Sequence, residues 1–225
     1  MLSGQARFQT QKDRIRKHLL KYTRKAFQML PQIDKPRILD IGCGSGVPTM
    51  ELAKLSNGEI VGLDTNQDLL DILRRKIEKT GASDRVGVVQ CSILEMKFSP
   101  ESFDIIWSEG SIFIIGFEKG LREWKRFLKP NGFMVIHDEK GNIEEKLGQV
   151  SNSGYALLDH FLLSEDIWWA EYFSPLEKLI DEARIKYPDD PKVLEEANSA
   201  QWEMDMFKKK PERNSSAFFV MRKNL

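Results

Sequence analysis

The 225-residue sequence predicts an α/β fold in which a mostly parallel sheet is covered on both faces by helices. Three observations carry that expectation. Apolar runs of strand length alternate with segments of helical period from Arg37 to His137. Proline and glycine punctuate the joints between them. The first run opens into ILDIGCGSGVPTMELA, where Gly42, Gly44 and Gly46 occupy alternate positions just after Asp40.

Ile15, Leu19, Tyr22, Ala26 and Leu30 fall at helical spacing, so an amphipathic helix is expected over residues 11–30, before a connection bracketed by Pro31 and Pro36. Arg37–Ile41 is the first strand. Pro48 suits the first turn of the next helix and Gly58 its stop. Glu59–Asp64 is the second strand, followed by a helix from about Asn66 to Thr80 that ends at Gly81. Val86–Cys91 and Phe103–Ser108 are the third and fourth strands. A helix from about Phe117 to Lys129, closed by a Pro130-Asn131-Gly132 turn, leads to a fifth strand, Phe133–His137. Beyond it the rhythm loosens. Tyr155–Leu163 reads as a sixth strand, and Ser174-Pro175-Leu176-Glu177 has the form of a capping box. Asp190-Pro191 opens a helix towards Lys210, and Ser216–Arg222 is a closing strand.

Apolar content of 41% and charged content of 30% are those of an ordinary globular chain. No apolar run approaches the ~20 residues of a membrane span, and the N-terminus lacks the apolar centre of a secretion signal. Cys43 and Cys91 are too few for a disulfide framework and lack metal-ligand spacing, so no metal is expected and a reduced, cytoplasmic setting is. Net charge is zero but uneven. Residues 7–37 hold ten Lys or Arg against two Asp, whereas residues 138–205 hold seventeen acids against six bases. The basic helix is read as a solvated face, with nucleic acid the lesser alternative.

In such a sheet ligands lie at the carboxyl ends of the strands, and these ends deliver Asp40, Asp64, Ser92, Ser108, Glu109, His137 and Asp138 to one rim. A P-loop would need Gly-Lys-Ser/Thr, but Gly46 is followed by Val47-Pro48, and a nicotinamide turn places its third glycine one residue later. A carboxylate at Asp40 repels a pyrophosphate and suits an ammonium group. Asp64, 18 residues after Gly46, is spaced to accept from ribose hydroxyls. A ribose joined to an amino-acid head, without phosphates, describes S-adenosylmethionine.

LDIGCGSG resembles the first motif of the class I S-adenosylmethionine-dependent methyltransferases, and GLDTN resembles their second. CSILEMKF and FDIIWSEGSIFIIGFEKGLREWKRFLKPNGFMVIHDE are similar to their third to fifth segments, and SEGSIFIIGFEKGL looks like uncharacterised members grouped with small-molecule methyltransferases. The resemblance implies a Rossmann-like, doubly wound, seven-stranded sheet in a three-layer α/β/α arrangement, with Ser216–Arg222 antiparallel between the fifth and sixth strands. It implies a lid over residues 1–36 and a cofactor-binding domain over residues 37–225, with residues 139–212 shaping the substrate side. It implies that the backbone around Gly42, Cys43, Gly44 and Gly46 holds the methionine part, with Asp40 near its amino group. Asp64 then takes the ribose; Thr65, Ser92 and Ile93 meet the adenine, and Ser108 completes the set. Ser92 stands where many members carry Asp, so its contact is uncharged.

Methyl transfer from a sulfonium is an in-line displacement in which positioning supplies up to ~7–11 kcal/mol. A base is needed only for a protonated nucleophile. Glu109 and His137 are the candidate catalytic residues, against the blander readings of a turn-capping carboxylate and a structural histidine. His18 reads as a solvated surface group, and both cysteines as packing. Trp107, Phe113, Trp168, Trp169, Tyr172 and Phe173 are candidate walls of an acceptor pocket, although a pair such as Trp168-Trp169 more often packs a helix onto a sheet. Glu109 and Glu118 have a separation similar to the paired acids of protein arginine methyltransferases. The expected function is methyl transfer to a small molecule by a monomer or homodimer, without membrane or nucleic acid. The alternatives are an RNA or protein methyltransferase, a cofactor-binding partner without catalysis, and a nicotinamide dehydrogenase.

Overall fold

The computed structural model describes residues 4–209 and 214–224. Seven strands, β1 (Arg37–Ile41), β2 (Glu59–Asp64), β3 (Val86–Gln90), β4 (Phe103–Glu109), β5 (Leu128–Glu139), β6 (Tyr155–Leu163) and β7 (Ser216–Lys223), form one sheet in the order β3-β2-β1-β4-β5-β7-β6. The pairs from β3 to β5 are parallel, and β7 runs antiparallel to both β5 and β6. The strand order reverses between β1 and β4, which opens a crevice there at the carboxyl ends.

Both faces of the sheet are covered, which is why its strands read as unbroken apolar runs rather than alternating ones. On one face Leu39, Ile41, Ile106, Met134, Ile136 and Phe219 meet Leu121, Trp124 and Val150 of α5 (Phe117–Trp124) and α6 (Ile143–Asn152). On the other, Ile38, Ile60, Ile105, Trp107, Val135 and Val220 meet α2 (Leu20–Gln28), α3 (Val47–Leu55) and α4 (Gln67–Thr80) through Ala26, Leu52, Leu70 and Leu73. α4 is bounded as its sequence dictates: Asn66 accepts from Leu69 N at its start, and Gly81 takes the left-handed conformation at its end.

A third core joins opposite ends of the chain. Phe8 and Ile15 of α1 (Gly4–Arg16), with Leu19, pack among Tyr172, Phe173, Leu176, Ile180, Val193, Ala197 and Met204. Leu176 and Ile180 belong to α8 (Ser174–Lys186), and Val193, Ala197 and Met204 to α9 (Pro191–Lys209). The N-terminal and C-terminal helices thus make one helical cap, instead of an N-terminal segment standing apart from the rest.

Four local expectations are corrected. The first helix starts at Gly4, earlier than expected, and Lys17–Leu19 tightens into a 3-10 turn. Strand β3 ends at Gln90, so Cys91 lies beyond it. The helix expected to reach Lys129 stops at Trp124, and Pro130-Asn131-Gly132 is a bulge inside β5 instead of a turn before it. Leu128 pairs with Phe103 and Phe133 with Ile105, so five residues of β5 span two of β4, with Asn131 left-handed at φ 59°. Ser174 is no cap: its backbone is helical, because α7 (Glu165–Trp168) and a π-helical turn over Trp169–Phe173 run straight into it. The cap lies upstream at Ser164, which accepts from Ile167 N. Pro175 brings no N–H to the carbonyl of Glu171 four residues back, and that carbonyl accepts from the His18 ring at 3.2 Å. His18 is therefore exposed but engaged.

Candidate active site

The glycine turn is built by the backbone. Gly42, Gly44 and Gly46 take φ of 74°, 52° and 81°, the left-handed region that disfavours side chains. Gly42 N and Cys43 N both donate to Leu63 O at 2.8 and 2.9 Å, which ties the turn to the end of β2. A Cβ on Gly42 would lie 1.8 Å from Ser111 Oγ, whereas one on Gly44 would meet nothing nearer than Leu69 at 3.9 Å. The turn is closed on the Ser111 side and open above Gly44. Cys43 is buried, and burial raises its thiol pKa, so it packs and does not react.

Asp64 Oδ2 accepts from Gly44 N and Oδ1 from Asn66 N, each at 2.9 Å. Two acceptor positions remain on a half-buried carboxylate, enough for a pair of hydroxyls. Asp40 is not at the mouth of the turn. It is 2% exposed, accepts from Thr49 Oγ1 at 2.6 Å, and burial pushes its pKa up to about 7, with Glu109 and Asp64 adding to the rise. Thr65 is exposed, Ser92 half-buried and Ile93 buried, along the edge where β2 and β3 end. Ser108 is fully buried, and its Oγ has no hydrogen-bond partner among the described residues.

The N-terminal helices close over these groups. Asp13 Oδ1 accepts from Ser45 Oγ and Oδ2 from Lys76 Nζ, both at 2.6 Å, so α1 is fastened to the glycine turn. Glu109 is fastened as well: Oε2 accepts from Arg16 at 2.7 Å, and Oε1 from Thr23 Oγ1 at 2.8 Å and Trp107 Nε1 at 3.0 Å. A carboxylate holding three donors is a joint between strand and cap and a poor candidate for a free base. The basic helix is in part a solvated face, with Arg7, Arg14, Lys17 and Lys25 exposed, and in part fastened: Lys12 pairs with Glu203, Lys21 with Glu171 and Arg24 with Glu51.

His137 is buried between the rings of Phe218 and Trp168, at centroid distances of 4.2 and 5.7 Å and nearly parallel. Its Nε2 bonds Ser216 Oγ at 2.7 Å, and the same hydroxyl accepts from Trp168 Nε1 at 2.8 Å. Burial first, then Arg16 and Lys146, holds its pKa well below the ordinary range, so the ring is neutral and a weak base.

Glu109 and His137 nevertheless share one pocket of about 810 Å3, walled by Trp168, Tyr172 and Phe173 and opening between Phe113 and Trp202. Trp107 lies beneath it, and Trp169 stacks outside on Phe207. Glu118 points elsewhere: it pairs with Arg122 and lines a separate depression with Lys119 and Lys146. Trp202 and Met206 were not legible as pocket residues, although they lie off the Val193, Ala197, Ala200 and Met204 stripe that α9 buries. That second apolar stripe is the signal that would have found them.

Residues 38–132 match the family model described as a methyltransferase domain. Among similar proteins, the sterol 24-C-methyltransferase of Aspergillus fumigatus is 31% identical over 103 residues, which are 45% of this chain and 27% of that one. Overall the matched stretch spans between 26% and 42% of the length of the first curated relatives. A methyltransferase from Geobacter sulfurreducens, solved with S-adenosylhomocysteine, superposes with a TM-score of 0.71 at 18% identity, covering 91% of this chain and 89% of that one. The [4+2]-cyclase SpnF superposes at 0.73 with 19% identity, over 91% and 80% of the two chains. The open cradle at Gly44, the spare acceptors of Asp64 and the orphaned hydroxyl of Ser108 fit S-adenosylmethionine, in keeping with the match of residues 38–132 to a methyltransferase domain.

Proposed function

We propose that the chain moves the methyl group of S-adenosylmethionine to a small-molecule acceptor by in-line displacement. One observation carries this reading: the glycine turn with Asp64, at the ends of β1 and β2, abuts Ser111, which follows Gly110 in the wall of the pocket at the ends of β4 and β5. The cofactor supplies the activated methyl. Gly42, Gly44 and Gly46 let the main chain approach it, Asp64 takes the ribose hydroxyls, Thr65, Ser92 and Ile93 border the adenine, and Ser108 gains a partner. Glu109 and the cap exclude water and hold the acceptor in line, which is where most of the rate arises. Neither Glu109 nor His137 acts as a free base, which suits an acceptor whose nucleophile needs no deprotonation ahead of attack.

Two features weigh against the macromolecular alternatives. Lys12, Arg16 and Lys21 of the basic helix are held by Glu203, Glu109 and Glu171, and Glu118 does not face Glu109. Among the described residues no helix is long and apolar enough to cross a membrane. Radiolabelled methyl from S-adenosylmethionine should enter the low-molecular-weight fraction of a cell extract. Label confined to RNA or protein would overturn the small-molecule reading, and binding without any transfer would favour a non-catalytic partner.

Asp64→Ala should weaken S-adenosylhomocysteine binding by about 2–3 kcal/mol, the worth of charge-assisted bonds to two hydroxyls. Unaltered affinity in a calorimeter would mean the ribose lies elsewhere.

Asp40 adds a pH dependence. Its pKa of about 7 in the free protein falls when a sulfonium and an ammonium bind nearby, so binding expels a proton and affinity climbs as pH rises through 7. Calorimetric heats near pH 7 should therefore differ between phosphate and Tris in proportion to their ionisation enthalpies; equal heats would contradict the coupling. In the free protein the sign is opposite. The unfolded chain loses this proton near 3.8 and the folded one near 7, so stability declines across that window.

A further inference from the structure

Each buried acid of the 810 Å3 pocket has a cation of the protein beside it. Arg16 sits on Glu109 at 2.7 Å and Lys146 on Asp138. The other two acids, Glu139 and Glu203, are exposed at the rim, where Lys12 approaches Glu203 at 3.5 Å. The deepest ring, His137, is neutral and sandwiched between two apolar faces, and the Ser216 hydroxyl beside it is already shared with Trp168. Tyr172 stays a neutral phenol, since burial pushes its pKa up to about 12. The wall is therefore aromatic and electrically balanced.

Beside the rim acids the mouth carries large apolar side chains. Phe113 is 66% exposed and Trp202 67%, and they come from distant parts of the sequence: the turn after β4, and α9. Met206, one helical turn beyond Trp202, extends the same rim. Large apolar side chains left in water around one opening mark a surface that a ligand covers.

We infer that the acceptor is a neutral, largely apolar molecule, bulky enough to fill the chamber and to leave it past Phe113 and Trp202. That it is an acceptor rests on the methyl-transfer reading; its chemistry rests on the pocket alone. The volume lies high in the range of about 300–1,000 Å3 typical of small-molecule sites, which suits a molecule with an extended hydrocarbon frame. A cationic amine of equal size would find the aromatic faces but no carboxylate without a partner on the inner wall, and so would enter stripped of water with no counter-charge.

The test uses the full chain and two naphthyl probes. N-phenyl-naphthylamine, neutral and fluorescent in apolar surroundings, is titrated with S-adenosylhomocysteine present, and a naphthylmethyl-trimethylammonium ion competes against it. The neutral probe should bind saturably at one site, and the cation at least about tenfold more weakly, since no unpaired carboxylate on the buried wall repays its desolvation. Phe113→Ala and Trp202→Ala, both at exposed positions, should each weaken the neutral probe about tenfold, as expected for aromatic anchors, without moving S-adenosylhomocysteine affinity. Lys146→Met uncovers Asp138 and should shift the preference towards the cation. A cation that binds the wild type as tightly as the neutral probe would overturn the inference. So would failure of the neutral probe to bind while calorimetry shows S-adenosylhomocysteine bound, and that result leaves methyl transfer standing. The reverse outcome, probe bound and S-adenosylhomocysteine not, removes the methyl-transfer reading and keeps an apolar-ligand site.

Discussion

Glu109→Ala will lower the unfolding free energy by about 3 kcal/mol, near the lower bound for breaking a buried ion pair from one side. The carboxylate is 3% exposed and receives Arg16, Thr23 and Trp107. Arg16 is 22% exposed and partly recovers water, which keeps the cost from reaching the top of the range. Trp107 Nε1 and the Thr23 hydroxyl are less able to do so, because both residues are buried. Glu109→Gln retains an acceptor for those two but turns an NH2 towards Arg16, which can only donate, so it should cost less than the alanine variant without being neutral. Urea midpoints read both effects, and cleavage within residues 4–28 by a dilute protease should accelerate for the alanine variant. An unshifted midpoint would show that the cap is held by its apolar core alone.

Gly42→Ala should be about as severe, by a different route. A left-handed backbone costs an alanine about 1–2 kcal/mol, and the new methyl collides with Ser111, its Oγ at 1.8 Å and its Cβ at 2.5 Å. Overpacking of that kind adds about 1–3 kcal/mol, and the displaced turn loses its hold on the cofactor. The two components separate in a double variant. Ser111→Gly removes both offending atoms, so pairing it with Gly42→Ala should restore the packing share and leave only the backbone strain. Thermal melts and S-adenosylhomocysteine titrations of the two variants supply the comparison; a double variant no better than Gly42→Ala would place the damage in the backbone.

The strands from β1 to β5 were legible because buried parallel strands are apolar throughout and their joints carry proline or glycine. The same punctuation misled at Pro130-Asn131-Gly132, where a turn-forming triplet lies within a strand and bulges out of it. Ser174-Pro175 misled in a similar way: proline fits the first turn of a helix, but a π-helical turn also accommodates a residue without an N–H. Of the site, the residues on one local motif were readable. Gly42 to Gly46 and Asp64 follow from spacing, since one short loop and one strand end suffice to place them. Asp40 was identified but misplaced by its depth, which depends on Thr49 lying over it. Partnerships across long separations left no local trace. Arg16 and Glu109 are 93 residues apart, and nothing near either position announces the other. The imbalance between residues 7–37 and 138–205 did announce an attraction, in bulk, but without naming which acid met which base.

The helical cap has a consequence for how the molecule is made. Its contacts join residues as far apart as Gln5 and Glu196, a separation of 191, and Lys21 and Glu171, a separation of 150. On a ribosome, α1 emerges long before its partners exist, and its apolar stripe must wait for α8 and α9 to be translated. Closing so long a loop is slow compared with winding the helices themselves. The parallel strands β1 to β5 are therefore in place before the cap can dock, while β7, translated after α9, inserts last and joins β6 to the sheet.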